Sequence, residues 1–236
     1  HGAHDYWIKP RKEILKGDAS TDTRWTYTYH RRLAEYEMDG KVVDQVDFMV
    51  GKLAATGFSR RAQGITWNPV LDPPTEHPPC LQRIWGRLLE DDDGELVFNF
   101  NSHWRSRDLY KAWFENTIAL TTLMRAIADR ISEKISRPVR VGRYVDINDS
   151  LHIYGSYFRE IEGDPDRGVK SFFERLASRS FEDRTWHSDF VKPLFIDDSL
   201  GKGLRPMLQR EGDMPTDVRN AIERELEAME RDDYVV

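Results

Sequence analysis

Two β-prone segments joined by an acidic, glycine-containing turn constrain the fold more than any other feature of the sequence. The segments CLQRIWGRLLE (80–90) and ELVFNFNSHWRS (95–106) flank the turn DDDG. A turn of this composition between two such segments predicts a β-hairpin. In the second segment apolar and amide side chains alternate and so occupy opposite faces: Leu96, Phe98 and Phe100 on one, Asn99 and Asn101 on the other.

Amphipathic helices are predicted on both sides of the hairpin. Residues 38–57 place apolar side chains at helical spacing, and residues 110–136 carry the longest such pattern. The apolar positions in these two segments are Val43, Val46, Val50 and Leu53, then Leu120, Leu123, Met124, Ile127 and Ile131.

Further strands and helices are predicted elsewhere in the chain. Residues 60–69 and 138–158 indicate strands, whereas 168–180 and 215–231 indicate helices. Because helical and strand patterns intermix throughout, the sequence predicts one α+β domain over residues 1–236.

Composition narrows the classes of function. The chain has 236 residues, 32% of them charged, a net charge of -6 and a mean hydropathy of -0.67. These values predict a well-solvated surface and argue against broad binding of nucleic acid. No apolar run approaches the length of a membrane span, and no leader-like segment opens the chain, so neither a membrane nor secretion is expected. A single cysteine excludes a disulfide framework and favours a reducing, cytoplasmic setting.

The single cysteine, Cys80, is the first candidate for chemistry. Base rates favour a buried structural thiol, because a nucleophilic cysteine needs partial exposure and cationic neighbours. Arg60 and Arg61 precede it in the chain, and Arg105 follows it. The hairpin would place Cys80 and residues 102–106 at the same open end, which favours a cation near the thiol.

Other segments suggest a bound phosphate and a polar ligand. SRR (59–61) and WRSRD (104–108) carry guanidinium and hydroxyl groups that suit a phosphomonoester, although each alone is typical of a solvated charge run. His152 and Tyr154 share one face of a predicted strand. Asn116, at a helix start, either caps the helix or binds a ligand. No cluster of cysteine and histidine has metal-binding spacing, and no glycine-rich phosphate loop is present.

Taken in chain order, these elements resemble the thymidylate synthase and nucleotide hydroxymethylase superfamily. The matching series is SRRAQGITWNP, PPC, HWRSRDLYKAWFEN and HIY. The resemblance extends from about RWTYTYHRR to Tyr154, which is more than half of the chain. Each element alone is common, whereas the ordered and spaced set is specific.

The resemblance implies a role for each matching residue. Cys80 is the nucleophile that attacks C6 of a pyrimidine nucleoside monophosphate. The other residues bind that nucleotide. The phosphate is held by Arg105 and Ser106 and, across a homodimer, by Arg60 and Arg61 of the partner subunit. Asp108 lies at the folate and pyrimidine side, Asn116 forms a hydrogen bond with the base edge, and His152 and Tyr154 hold the sugar hydroxyls.

The resemblance also implies a fold and a cofactor. The expected fold is a single α+β domain of the thymidylate synthase type, with a mixed β-sheet core flanked by helices and a homodimer formed through the sheet. The expected cofactor is 5,10-methylenetetrahydrofolate, and no metal is expected. The family's N-terminal segment, with its catalytic glutamate, has no clear match, so we expect that part of the natural protein to be missing or disordered.

Departures from the family pattern bear on the product. Trp104 replaces the usual glutamine, and residues 112–115 replace the usual Gly-Leu-Pro-Phe. Asn116 favours uracil, whereas Glu115 offers an acceptor for a cytosine amino group. The overall resemblance to the cytidylate hydroxymethylases of nucleoside-antibiotic pathways (mildiomycin type) and to archaeal-type synthases favours C5 hydroxymethylation of CMP or dCMP. Methylation of dUMP and a non-catalytic nucleotide-binding homologue are the alternatives.

Overall fold

The computed structural model of the chain describes residues 28–162, 165–185 and 202–209, with positions 187, 190, 216, 219, 220, 222, 223, 226 and 227. Helices and strands intermix along these residues, which confirms the α+β class. Among them, no helix combines the length and the apolarity that crossing a membrane requires.

The described elements follow one another along the chain as helices α1 to α6 and strands β1 to β8. They are α1 (Tyr29–Ala34), β1 (Tyr36–Met38), β2 (Lys41–Val43), α2 (Gln45–Ala55), β3 (Gln63–Ile65), β4 (Leu81–Glu90), β5 (Leu96–Trp104), β6 (Arg107–Asp108), α3 (Ala112–Ile135), β7 (Val139–Asn148), β8 (Leu151–His152), α4 (Gly155–Glu162), α5 (Pro165–Ala177), a 3-10 turn (Glu182–Arg184) and α6 (Lys202–Leu208).

The chain divides into two compact units. The first comprises residues up to Arg107 together with Glu115–Ser150, and the second comprises Asp108–Phe114 together with residues from Leu151 onward. The interpretation of residues 1–236 as a single domain stays a prediction.

A mixed β-sheet forms the centre of the first unit. Its strands lie in the order β3-β4-β5-β7, in which β3, β4 and β5 are antiparallel neighbours and β7 is parallel to β5. The long helix α3 provides the crossover between β5 and β7, as a parallel pair requires. The expected mixed sheet with flanking helices is therefore confirmed.

The predicted hairpin is β4 and β5, and its turn is built from its own side chains. The Asp91 carboxylate accepts hydrogen bonds from the backbone amides of Asp93 and Glu95, at 3.1 and 2.8 Å. Gly94 takes a positive φ of 78°, which a glycine adopts without strain. The Arg140 guanidinium donates to Asp91, and this hydrogen bond holds the pKa of that carboxyl below its usual value.

The core lies on one face of this sheet, against α2 and α3. Phe98 and Phe100 are fully buried there, while Asn99 and Asn101 face the other way, as the alternation predicts. Gly86 in β4 leaves room for the ring of Phe98, since a Cβ at this position would collide with it. The core also contains Leu33, Val46, Met49, Val50, Leu53, Leu81, Ile84, Leu88, Trp104, Leu120, Met124, Ile127 and Ile131.

The first predicted helix begins later than the apolar spacing suggested. Val43 lies in β2, and α2 begins at Gln45. Asp44 precedes the helix as its N-cap, where its carboxylate accepts a 2.7 Å hydrogen bond from the amide of Asp47. The cap therefore fixes the start of the helix more sharply than the apolar pattern does.

In the second unit, the pair of helices α4 and α5 follows β8. The strand predicted over residues 138–158 is wrong at its end, because the chain becomes helical at Gly155. Gly168 lets the two helices approach closely, since a Cβ there would collide with the backbone of Phe158. The Tyr110 ring packs against Tyr157 at 5.5 Å and against Phe172 at 5.9 Å between ring centroids. Of the helix predicted over 215–231, the positions that the structure describes are helical.

Candidate active site

Cys80 lies directly before β4, where the end of β5 passes beside it. The backbone amide of Arg105 donates a 3.0 Å hydrogen bond to the carbonyl of Cys80. The Arg105 guanidinium lies 3.9 Å from the Cys80 sulfur, between Nη2 and Sγ. The thiol is half-buried. The hairpin thus brings the cysteine and a cation together at its open end, as the sequence predicts.

Two proline carbonyls hold this guanidinium in place. Arg105 donates from Nε to the carbonyl of Pro79 at 2.9 Å and from Nη2 to that of Pro78 at 2.7 Å. Prolines lack a backbone N–H and do not continue a sheet ladder, so their carbonyls are available to the side chain. A fixed cation beside a partly exposed sulfur is the arrangement that a nucleophilic cysteine needs.

Tyr29 also contacts this site, and sequence reasoning missed it. Its hydroxyl accepts hydrogen bonds from the backbone amides of Cys80 and Leu81, at 3.2 and 3.4 Å. Its ring meets that of Trp104 edge-on, with centroids 5.7 Å apart. Tyr29 is 51 residues from Cys80 and belongs to an aromatic-rich run without a clear period, so no local pattern marks it.

Replacing Tyr29 by phenylalanine is expected to slow the alkylation of Cys80 by iodoacetamide several-fold. The variant leaves two backbone amides without their acceptor, at a cost of about 1 kcal/mol, and loosens the sulfur from the guanidinium. Tyr36→Phe is a matched control, because Tyr36 donates to the carbonyl of Trp67 at 2.9 Å and makes no hydrogen bond to Cys80. Equal alkylation rates in the two variants would contradict a positioning role for Tyr29.

Arg60 and Arg61 are exposed in the first unit. The indole N–H of Trp85 donates to the carbonyl of Arg60 at 3.1 Å, and the amide of Arg61 donates to Ser59 Oγ at 3.3 Å. Among the residues that the structure describes, neither guanidinium makes a hydrogen bond or an ion pair. The structure therefore does not bring them to Cys80 through a direct contact.

Asn116 and Ser106 also lie in the first unit, and both are half-buried. Asn116 is the fifth residue of α3 and does not cap the helix. In the part of the chain that the structure describes, neither the Asn116 amide nor the Ser106 hydroxyl forms a hydrogen bond within the protein. With respect to the described residues, both groups therefore retain hydrogen-bonding capacity for a ligand.

Asp108, in the second unit, caps the start of α3. One carboxylate oxygen accepts from the amides of Tyr110 at 3.0 Å and Lys111 at 3.4 Å. The other accepts from the amide of Ala112 at 3.4 Å and, more closely, from the hydroxyl of Tyr157 at 2.8 Å. A carboxylate has about four lone-pair sites, so these bonds use its capacity.

His152 and Tyr154 lie together in the second unit, although only His152 belongs to a strand. Their ring centroids are 4.7 Å apart, and the rings are nearly perpendicular. Tyr154 is 50% exposed and packs its edge against Tyr157 at 5.6 Å. Tyr157 thus links the predicted His-x-Tyr pair to Asp108, a contact that the sequence did not indicate.

The predicted site residues thus divide between the two units. Asp108, His152 and Tyr154 belong to the second unit and the others belong to the first. That they line one site stays a prediction. In the described residues, no group of three or more His, Cys, Asp or Glu side chains is arranged to hold a metal ion.

Known proteins resemble this chain over part of its length. A protein of Methanothermobacter marburgensis named "Putative thymidylate synthase" is 32% identical over 157 residues, which are 66% of this chain and 64% of that protein. Proteins with the same name from Methanococcoides burtonii and Methanopyrus kandleri are 30% identical over 159 residues and 36% identical over 104 residues. The first of these matches covers 67% of this chain and 66% of the M. burtonii protein. The second covers 44% of this chain and 46% of the M. kandleri protein.

These relatives confirm the resemblance that the ordered motifs predict. No family model matches the chain. The chain spans less than two thirds of the length of the curated relatives named above. Several relatives from different archaea carry the same name and are each about 30% identical to this chain over the span that they share with it. The chain therefore belongs to a thymidylate synthase-like family.

Proposed function

We propose that this protein transfers a one-carbon unit to C5 of a pyrimidine nucleoside monophosphate through a covalent adduct at Cys80. The observation that carries the proposal is the half-buried thiol 3.9 Å from a guanidinium that two carbonyls fix in place. A structural cysteine needs neither partial exposure nor a fixed cation.

The Cys80 thiolate forms a bond to C6 of the pyrimidine and pushes an electron pair toward C5. C5 of an uncharged pyrimidine is a poor nucleophile, and this addition makes the ring enolate-like. When bound, 5,10-methylenetetrahydrofolate would supply the one-carbon unit that C5 takes up. C5 then loses its proton and the folate nitrogen leaves as an amine, so that a methylene group remains on C5. Water adds to this methylene as the sulfur–C6 bond breaks, which gives a hydroxymethyl group and returns the electron pair to Cys80 as a thiolate. Covalent addition thus divides one difficult step into easier ones.

The residues around Asp108 suit the pterin of the folate. Tyr110 and Tyr154 are 44% and 50% exposed, and both rings pack against Tyr157, which bonds Asp108. Exposed aromatic faces beside a carboxylate match a flat ring that carries N–H donors. Because the Asp108 carboxylate already accepts four hydrogen bonds, a pterin N–H would replace the Tyr157 hydroxyl as a donor to it.

The phosphate is bound by the arginines and by Ser106. Arg105 and Ser106 lie next to each other at the end of β5, close to Cys80. A guanidinium and a hydroxyl bind a phosphomonoester through charge-assisted hydrogen bonds. Arg60 and Arg61 have exposed side chains without partners among the residues that the structure describes, which suits arginines that reach the phosphate in a second copy.

The sheet offers the surface for that second copy. Strands β4, β5 and β7 present mixed apolar and polar side chains on the face opposite the core. Paired positions along that face are Trp85, Asn101 and Val145, then Arg83, His103 and Ile147. A mixed face of this kind, with an aromatic residue near its middle, suits a symmetric interface between copies.

The product that we propose is a 5-hydroxymethylated cytidine monophosphate, formed from CMP or dCMP. Glu115, in the replaced segment before Asn116, offers an acceptor for the cytosine amino group. Methylation of dUMP is the second candidate. It is favoured by the Asn116 amide, which forms no hydrogen bond among the described residues and matches the N3–H and O4 of uracil. The names of the relatives favour it as well.

Mass analysis of the product distinguishes the two. The protein is incubated with 5,10-methylenetetrahydrofolate and, separately, with CMP, dCMP and dUMP. We expect a hydroxymethyl gain on a cytidine nucleotide and none on dUMP. A methyl gain on dUMP alone would establish the second candidate. Binding without any product would indicate a non-catalytic homologue.

A further inference from the structure

Arg107, between Ser106 and Asp108, has a completely buried side chain. Its Nη2 donates to the Asp146 carboxylate at 2.8 Å, and its guanidinium carbon lies 3.7 Å from the centre of a Trp104 ring. The Arg107 side chain is 0% exposed and that of Asp146 is 10% exposed. Burial of an ion pair costs several kcal/mol of desolvation per ion, on the order of what their attraction returns.

A chain of hydrogen bonds fixes the partners of Arg107. The Trp104 indole N–H donates to Ser102 Oγ at 2.9 Å, and Ser102 bonds the Tyr144 hydroxyl at 2.7 Å. Tyr144 in turn donates to the Asp146 carboxylate at 3.2 Å. Burial raises the pKa of Tyr144 well above its usual value, so the hydroxyl keeps the proton that it donates. These hydrogen bonds join β5 to β7 and connect the two groups that Arg107 contacts, the Trp104 ring and the Asp146 carboxylate.

The backbone on either side of Arg105 and Ser106 is also fixed. The carbonyl of Trp104 accepts from the amide of Asp149 at 2.9 Å, and the amide of Arg107 donates to the carbonyl of Ser150 at 2.8 Å. The Arg107 side chain then folds back onto the Trp104 ring. The bend that presents Arg105 and Ser106 is thus held at both ends.

A buried ion pair is a weak source of stability, since well-packed apolar residues often serve as well or better. A buried ion pair can instead restrict the chain to one conformation. At this position, the backbone next to the pair is the Arg105–Ser106 bend. The position of the pair therefore matters more than its contribution to the free energy of unfolding.

We propose that Arg107 is a positioning residue for the nucleotide phosphate, because its pairing with Asp146 and Trp104 orients Arg105 and Ser106. This inference rests on the proposed function, in which those two residues bind the phosphate. Arg107 itself does not touch the substrate.

The test replaces both buried charges at once, in Arg107→Met/Asp146→Leu. A single substitution would leave the other charge buried and unpaired. Titration calorimetry with CMP, dCMP and dUMP is expected to show about tenfold weaker binding of the nucleotide that the wild type prefers. Affinity for the matching nucleoside, which lacks the phosphate, stays unchanged. Thermal unfolding stays close to that of the wild type.

The control is Asp47→Leu/Arg130→Met, which removes an ion pair of the same 2.8 Å length from an exposed site. It is expected to bind the nucleotide as the wild type does. If the buried double variant does not fold, Arg107→Lys replaces it, since this change keeps a positive charge beside Asp146 but removes the planar guanidinium over the Trp104 ring. It is expected to weaken nucleotide binding several-fold and to spare the nucleoside.

Unchanged nucleotide affinity in the folded variant, or equal losses for nucleotide and nucleoside, would overturn the positioning role. A wild type that binds nucleotide and responds to these variants but forms no product would overturn the catalytic proposal alone. A wild type that binds none of the three nucleotides would overturn both.

Discussion

Replacing Cys80 by alanine is expected to abolish product formation while nucleotide binding stays nearly unchanged. The variant removes the sulfur that bonds C6, and no other thiol in the sequence can replace it. Loss of the nucleophile in a covalent mechanism lowers kcat on the order of 10⁴- to 10⁶-fold. The phosphate-binding groups Arg105 and Ser106 remain, so the nucleotide still binds. Mass analysis of the product measures the loss of turnover, and calorimetry measures whether the nucleotide still binds.

Alkylation provides an independent measurement on the wild type. Because Cys80 is the only cysteine in the sequence, iodoacetamide labels a single site. The preferred nucleotide is expected to protect this site, and the matching nucleoside is expected to protect it less. Full turnover by Cys80→Ala would show that the covalent mechanism is wrong, whatever the product.

The sequence predicts those parts of the fold that local patterns determine. Alternation and the acidic turn predict the hairpin of β4 and β5, and the 3.6-residue period predicts α3. The contact between Cys80 and Arg105 follows from the hairpin, since residues at the two open ends of paired strands must meet. The order and spacing of the motifs predict the family.

Contacts between distant segments escape this reasoning. Tyr29 bonds the Cys80 amide across 51 residues, and Arg107 pairs with Asp146 across 39. Neither pair has a spacing that a helix or a strand would create. The helical start at Gly155 is also missed, because its first residues continue a β-like run. Tertiary packing decides such positions.

If each site of the proposed dimer uses residues of both copies, mixing two inactive variants is expected to restore activity. Arg60→Ala/Arg61→Ala loses charge-assisted bonds to the phosphate, each worth about 1.5–3 kcal/mol, so activity is expected to fall by about 10² or more. Cys80→Ala is inactive because it lacks the nucleophile. Neither variant alone contains a complete site.

In a mixed dimer, the Cys80 of one copy would meet the intact arginines of the other. A symmetric dimer that exchanges freely gives about half mixed dimers, each with one complete site, so about a quarter of wild-type activity is expected to return. Mixing Cys80→Ala with Arg105→Ala is the control. Arg105 lies 3.9 Å from the sulfur of its own chain, so this mixture has no complete site and stays inactive. If the first mixture also stays inactive while light scattering shows dimers that exchange, Arg60 and Arg61 do not serve the other copy.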